Sequence, residues 1–151
     1  MTVLLVLTVL FNGVLAGLSL DKVIVALPAR RRIGVVNYAA YARAADLGNG
    51  VALYAVTGIG AAALTLVTAL VAVGAHATAA VRVLLGIAAV LSVLHSVTTA
   101  IAAPTMFRVG RAPDTEPALA PLLTRFARVS AVRAVLQVAT FAVVAVAAAA
   151  H

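Results

Sequence analysis

Cysteine is absent from the 151 residues of this chain. Its absence excludes a disulfide framework, Cys-ligated zinc, Cys-bound iron–sulfur clusters and thiol nucleophiles. Charge is also scarce, because 10% of the residues are Asp, Glu, Lys or Arg, whereas an average soluble domain has about 25%. The composition is therefore that of a chain that does not face water.

Apolar residues make up 65% of the sequence, and the mean hydropathy is +1.19. A bilayer core about 30 Å thick needs about 20 mostly apolar residues per spanning helix. Four such stretches predict helices at residues 2–28, 47–74, 79–103 and 119–149. The first lacks a basic leader and a small-residue cleavage site, so we predict a membrane span and not a signal peptide.

Gly and Pro residues mark the predicted helix ends. We expect the first helix to end near Pro28 and the third at Pro104, because proline interrupts helical hydrogen bonding. The other markers are Gly48 and Gly50 before the second helix, a tight turn at 74–78, and Pro113, Pro117 and Pro121 in a polar loop before the fourth. Short loops between such helices predict an all-α fold, an antiparallel four-transmembrane-helix bundle in a single domain.

Positive charge is concentrated beside the first and third loops. The residues concerned are Arg30, Arg31, Arg32, Arg43, Arg108, Arg111, Arg125 and Arg128. The positive-inside rule predicts that these loops face the cytoplasm and that both termini of this multi-pass cell-membrane protein lie outside. No basic surface interleaved with aromatic residues is present, so we expect no nucleic-acid partner. The less apolar segment from Val35 to Asp46 is consistent with an interfacial helix that places Tyr38 and Tyr41 at headgroup level.

Polar residues in the first helix have both structural and functional interpretations. Asn12 is either an interhelical hydrogen-bonding residue or a ligand contact. Gly13 and Gly17 form a G-x-x-x-G pattern that favours close helix packing, and a homo-oligomer through this face is a further expectation. Asp21 is poorly placed to pair with the adjacent Lys22, so it either pairs with an arginine of another helix or provides a carboxylate near a cavity.

His95 lies near the middle of the third apolar segment and shares a helical face with Thr98. A neutral imidazole both donates and accepts hydrogen bonds, and its ordinary pKa near 6.5 suits proton transfer. A hydrogen bond to a neighbouring helix is the structural alternative. Ligand patterns such as H-E-x-x-H are absent from the sequence, so we predict no metal site.

Arg133 and Gln137 lie on one face of the fourth helix. If the membrane boundary is near Arg125, Arg133 is about 12 Å inside at a rise of about 1.5 Å per residue. Its guanidinium either extends back to the interface or faces an internal polar pocket. Gln137 lies deeper and favours the pocket.

Four stretches together resemble the anthrone-oxygenase-like family of small four-helix membrane proteins. They are GVLAGLSLDKVIVALP, YARAADLGNGVALYAVTGIGAAAL, TTAIAAPTM and FARVSAVRAVLQVATF, in this order along most of the chain. The resemblance implies oxygenation of a lipophilic aromatic polyketide, such as an anthrone, to a quinone without any cofactor. It implies His95 or Asp21 as the base and Arg133 as the anion-stabilising cation. Orienting or substrate-binding roles are expected for Asn12, Asn49, Gln137, Thr98 and Tyr41.

Two other functions are compatible with the sequence. An accessory subunit would use its Gly and Ala faces to dock onto another membrane protein. A small transporter would line a pathway with the same polar residues, although no inverted repeat is evident. The expected partners are a lipophilic small molecule and membrane lipids.

Overall fold

The computed structural model describes residues 1–75 and 77–151, and every regular element among them is helical. The helices are α1 (Thr2–Leu20), α2 (Leu27–Ile33), α3 (Val35–Ala44), α4 (Gly50–Gly74), α5 (Ala79–Arg111) and α6 (Glu116–Ala149). Two short turns connect these helices. Asp21–Ala26, between α1 and α2, is π-helical. Ala45–Asn49, between α3 and α4, contains a kink at Gly48, whose backbone angles (φ −85°, ψ −122°) are not helical. The all-α class is confirmed. The tight turn predicted at 74–78 includes His76, which lies outside the described residues.

Four helical segments are long and apolar enough to cross a membrane. They are Thr2–Ile33, Val35–Gly74, Ala79–Arg111 and Glu116–Ala149. Large apolar side chains cover the outer surface: Val3 is 74% exposed, Leu70 73% and Ile59 70%. A surface of this kind suits lipid, since soluble proteins rarely expose extended apolar patches. The chain is a multi-pass membrane protein.

Consecutive spans are neighbours around the bundle. Helix α1 packs against α4 and α6, and α5 packs against the same two helices. Because the chain reverses direction between consecutive spans, the arrangement is an antiparallel up-and-down four-helix bundle. Most backbone groups of each span are paired within its own helix, which suits a bilayer.

The predicted end of the third helix at Pro104 is wrong, because α5 continues to Arg111. Proline removes one backbone donor, but membrane helices tolerate it where neighbouring side chains compensate. The Thr105 hydroxyl donates to the Ile101 carbonyl at 3.3 Å, and Met106 and Val109 remain buried beyond the proline. Packing of this last part of α5 outweighs the lost hydrogen bond.

Three more prolines lie in helices. Pro28 follows the π-helical turn at the start of α2, and the helical segment continues to Ile33, beyond the predicted end. Pro117 is at the start of α6, where a backbone N–H has no helical partner to lose, and Pro121 lies within the same helix. The fourth helix therefore starts at Glu116, before the predicted residue 119.

Two apolar clusters close the bundle. One contains Leu27, Tyr38, Met106, Leu123 and Phe126 at the end that carries most of the arginines, here called the arginine-rich end. The other contains Leu5, Ala72, Val81, Leu85 and Ala147 near the termini. Tyr38 was expected at headgroup level but is fully buried in the first cluster, because α3 packs against α5 and α6.

Candidate functional site

A cavity of about 300 Å³ lies inside the bundle, towards the arginine-rich end. All four spans contribute to its walls, which are mostly apolar, with Leu15, Leu18, Ala103 and Met106 among them. Its polar lining residues are Ser19, Lys22, Asp46, Tyr54, His95, Thr99, Ser130 and Arg133. A mostly apolar cavity with a few polar groups is the usual form of a small-molecule site.

His95 and Arg133, which the sequence proposed as base and cation, both line this cavity. Helix α5 buries His95 to 5% exposure. Arg133 comes from α6, which packs against α5. The Arg133 side chain therefore lines the internal cavity. This placement agrees with the interpretation of Arg133 as a residue of an internal polar pocket.

Several polar atoms in the cavity have no hydrogen-bond partner among the described residues. They are His95 Nε2, Arg133 Nε, Ser130 Oγ and Asp46 Oδ2, and all four atoms are buried. Buried polar groups in native proteins are nearly always paired. Their concentration around one cavity indicates that a polar group of a ligand, or water, completes them.

An ion pair between Lys22 and Asp46 lines the same cavity, and the sequence analysis missed it. Lys22 Nζ donates to Asp46 Oδ1 at 2.5 Å, and Nζ lies 5.9 Å from the centre of the Tyr54 ring. The signal was available: an antiparallel helix pair brings the end of the first span level with the start of the second. A lysine and an aspartate at those two positions face one another.

The two connecting turns carry this pair. Lys22 lies in the π-helical turn Asp21–Ala26, and Asp46 lies in Ala45–Asn49, which is kinked at Gly48. π-Helical turns are frequent at functional sites. At the start of α4, a Cβ at Gly50 would lie 2.6 Å from the Ala45 carbonyl oxygen, so the close approach after the kink requires glycine.

Asp21, the other proposed base, is exposed and is not among the cavity-lining residues. Asn49 and Tyr41 are also exposed and outside the lining. The structure therefore separates these three from His95 and Arg133. Lys22 is buried and Asp21 is exposed because Lys22 continues the inward face of Asn12, Leu15 and Ser19 at α-helical spacing.

Thr98 is half-buried, and its hydroxyl donates to the His95 carbonyl at 2.8 Å. It is not a lining residue, whereas the neighbouring Thr99 is. The hydroxyl of Thr99 also donates to the His95 carbonyl, at 3.0 Å. The rotation of α5 about its axis decides which of the two threonines lines the cavity. Sequence spacing alone predicts this rotation only to within about one residue.

Asn12 and Gln137 form a polar layer one helical turn beyond the cavity. Gln137 Nε2 donates to Asn12 Oδ1 at 2.9 Å, and Asn12 Nδ2 donates to Thr65 Oγ1 at 2.9 Å. Thr8 and Thr68 share a further hydrogen bond at 2.7 Å. Since these groups are partnered within the bundle and do not line the cavity, they connect α1, α4 and α6 and close the deep end of the site.

The two glycines of the G-x-x-x-G pattern differ in surroundings. A Cβ at Gly13 would lie 3.2 Å from the Phe141 ring of the same chain, whereas a Cβ at Gly17 would meet nothing within 4 Å. Gly13 therefore serves packing of α1 against α6. An oligomer contact through the exposed Gly17 stays a prediction.

The cavity reaches the outer apolar surface between α4 and α5. Val51 and Ala55 of α4 and Phe107 of α5 line the cavity and are also exposed, Phe107 to 48%. In a bilayer this surface contacts lipid. A lipophilic molecule can therefore reach the cavity from the membrane without crossing water.

Within residues 1–75 and 77–151, no group of three or more His, Cys, Asp or Glu side chains is close enough to hold a metal ion. Comparison of the chain with protein-family models, curated proteins and solved structures finds no match in any of the three. The functional argument therefore depends on the chemistry of the cavity.

Proposed function

We propose that this chain is a membrane enzyme that binds a lipophilic aromatic molecule of the anthrone type and oxygenates it to a quinone without a cofactor. The observation that carries the proposal is the pair of unpartnered polar atoms, His95 Nε2 and Arg133 Nε, in one largely apolar cavity. The resemblance of four sequence stretches to the anthrone-oxygenase-like proteins supports the same chemistry.

The cavity suits a flat, apolar substrate. Its volume of about 300 Å³ is at the lower end of the range of small-molecule sites. Leucine, alanine, methionine and phenylalanine side chains form most of its walls, and its opening between α4 and α5 faces lipid. A substrate dissolved in the bilayer enters through this opening. Inside the cavity, its polar groups can form hydrogen bonds only with the few polar side chains there.

His95 acts as the base in this mechanism. Its Nε2 takes a proton from the benzylic methylene carbon of the anthrone, and the electron pair of the broken C–H bond delocalises onto the ring carbonyl oxygen. A general base contributes about 10²- to 10⁴-fold to a rate when it is within hydrogen-bond reach of the proton. His95 is 5% exposed and lines the cavity, and its Nε2 has no hydrogen-bond partner among the described residues.

Arg133 stabilises the anion. Its guanidinium donates to the oxygen on which negative charge develops, and in an apolar cavity such a donor acts more strongly than in water. Ser130, one helical turn away with an unpartnered hydroxyl, provides a second donor. Removal of one oxyanion donor typically lowers kcat by about 10²- to 10³-fold.

Molecular oxygen is the oxidant. The carbanion transfers its electrons to oxygen and forms a C–O bond, and the histidinium returns its proton to the peroxide. Loss of the second benzylic proton and cleavage of the O–O bond then give the new carbonyl and water. The sum, anthrone plus O₂ to anthraquinone plus water, balances without another reductant.

The test uses the purified protein in lipid nanodiscs with anthrone as substrate. Quinone absorbance and oxygen consumption are followed against empty nanodiscs, which report spontaneous oxidation. We expect His95→Gln and Arg133→Met to lower the rate by about 10²-fold or more. His151→Ala, which changes the exposed terminal histidine, is the matched control and retains the rate.

A second variant pair tests the cavity without touching a polar group. A Cβ at Gly58, which lines the cavity, meets nothing within 4 Å, so Gly58→Leu places its side chain in the cavity and not against a wall. We expect about a tenfold or greater loss of rate. Gly86→Leu is the control, because Gly86 is exposed and equally unobstructed. Wild-type protein that is folded yet leaves anthrone at the background rate overturns the enzymatic proposal and favours an accessory role.

A further inference from the structure

We propose that Asp46 selects ligands by accepting a hydrogen bond from a donor group at the end of the molecule remote from His95 and Arg133. The inference depends on the cavity of the proposed function and deepens it. It makes the preferred ligand a rigid aromatic molecule with two polar ends, one of them a hydroxyl or another N–H or O–H donor.

Only one oxygen of the Asp46 carboxylate has a hydrogen-bond partner among the described residues. Lys22 Nζ donates to Oδ1, whereas Oδ2 is buried without a partner. Asp46 as a whole is 9% exposed and lines the cavity. A carboxylate accepts about four hydrogen bonds, and a buried acceptor left unpaired is unfavourable. Asp46 Oδ2 is therefore a hydrogen-bond acceptor for which the described residues provide no donor.

Asp46 and Lys22 lie at a different depth from Arg133. Asn12 and Gln137 mark a common level, because their side chains are hydrogen-bonded at 2.9 Å. At about 1.5 Å per residue, the α-carbon of Lys22 lies about 15 Å from the level of Asn12 along the first span. The α-carbon of Arg133 lies about 6 Å from the level of Gln137 along α6, which is antiparallel to the first span. Both displacements run towards the arginine-rich end, so the two polar groups of the cavity differ in level by about 9 Å at the α-carbons.

The walls of the cavity are mostly apolar, and Leu18, Met106 and Phe126 are among its lining residues. Ser19 and Ser130 also line the cavity and lie at a level between Arg133 and Lys22. A ligand that reaches from Arg133 to Asp46 therefore has a mostly apolar middle. Lys22 compensates the charge of Asp46, so the outer group is a neutral pair with a free acceptor, which favours a donor and disfavours a second carbonyl or carboxylate.

The test measures binding, because binding requires no oxygen. Three fluorescent probes, anthracene, 2-hydroxyanthracene and 2-methoxyanthracene, are titrated with the protein in nanodiscs, and partition into empty nanodiscs is subtracted. In the wild type we expect 2-hydroxyanthracene to bind about tenfold more tightly than the other two, as for a hydrogen bond to a charged acceptor. Equal affinities of all three probes would overturn the proposal.

Two variants assign the preference to Asp46. Lys22→Met combined with Asp46→Leu removes the pair without leaving an unpaired buried charge, a replacement that is often neutral for folding. We expect this double variant to bind anthracene as before and to lose the hydroxyl preference. Asp46→Asn, nearly isosteric, presents an amide donor instead, so 2-methoxyanthracene gains on 2-hydroxyanthracene. Glu116→Gln, an exposed acid at the start of α6, is the control and keeps the wild-type preference.

The outcomes separate this inference from the proposed reaction. Hydroxyl preference that depends on Asp46, without anthrone oxidation, supports the inference and contradicts the reaction. Anthrone oxidation with equal binding of the three probes supports the proposed reaction and contradicts the inference about Asp46. Retention of the preference in the double variant, or failure of the wild type to bind any probe, overturns the assignment to Asp46.

Discussion

The polar side chains inside the bundle differ in whether a protein partner satisfies them. Asn12 is hydrogen-bonded to both Gln137 and Thr65, and these bonds hold three helices together. His95 and Arg133 retain atoms without a partner among the described residues. All four side chains are costly in a membrane interior. Packing explains the partnered ones, and a ligand or water explains the others.

Asn12→Leu tests the structural role. The substitution removes the Oδ1 acceptor of Gln137 and leaves its Nε2 buried with only the Asn12 carbonyl at 3.2 Å. We expect a loss of about 1–3 kcal/mol in the free energy of unfolding, measured by denaturant titration in detergent micelles. Thr57→Val is the control, because that hydroxyl bonds to Leu53 of its own helix. Unchanged stability of Asn12→Leu would show that the layer does not hold the helices.

The connecting turns of the first two spans, and not the prolines, interrupt regular α-helical geometry. Pro104 and Pro121 lie inside continuous helices, whereas Asp21–Ala26 is π-helical and Ala45–Asn49 is kinked at Gly48. These two turns carry Lys22 and Asp46, the ion pair of the cavity.

Gly50→Ala tests the second of these turns. Its Cβ would lie 2.6 Å from the Ala45 carbonyl oxygen, so the turn must shift, and Asp46 shifts with it. We expect a loss of about 1–3 kcal/mol, as for other overpacked sites, together with a smaller preference for 2-hydroxyanthracene. Gly86→Ala gains helix propensity without a contact and is expected to be as stable as the wild type or more. A Gly50→Ala variant that matches Gly86→Ala in stability and in ligand preference would contradict this account.

The bundle as a whole is electrically asymmetric. Most arginines lie at one end, where the guanidinium of Arg43 donates to the Val109 carbonyl at 3.0 Å and to the Ala112 carbonyl at 2.8 Å, and also pairs with Asp114. These contacts connect α3 to the end of α5 and the loop that follows. The positive-inside rule predicts that this end faces the cytoplasm.

A cysteine-labelling experiment tests this orientation, and the cysteine-free sequence suits it. Two single variants are made: Thr115→Cys, between α5 and α6 at the arginine-rich end, and His151→Cys, at the C-terminus. Intact cells that contain either variant are treated with a membrane-impermeant maleimide. We expect labelling of His151→Cys in intact cells and of Thr115→Cys only after lysis. Labelling of Thr115→Cys in intact cells would mean the opposite orientation.

Hydropathy and spacing were enough to predict the all-α bundle. His95 and Arg133, for which the sequence left a structural and a functional interpretation open, both line one cavity. The ends of helices one, three and four were misplaced because proline was taken as a terminator. Asp21 was singled out because it cannot pair with the adjacent Lys22, whereas the pairing of Lys22 with Asp46 exists only in the folded bundle.

Composition alone decides that this chain belongs in a bilayer, since 65% apolar residues in four long stretches leave no other way to cover their surface. Which polar residues meet was decided only in three dimensions. The rotation of each helix about its axis depends on contacts with the other three, such as the ion pair of Lys22 with Asp46, and those contacts join residues far apart in the chain.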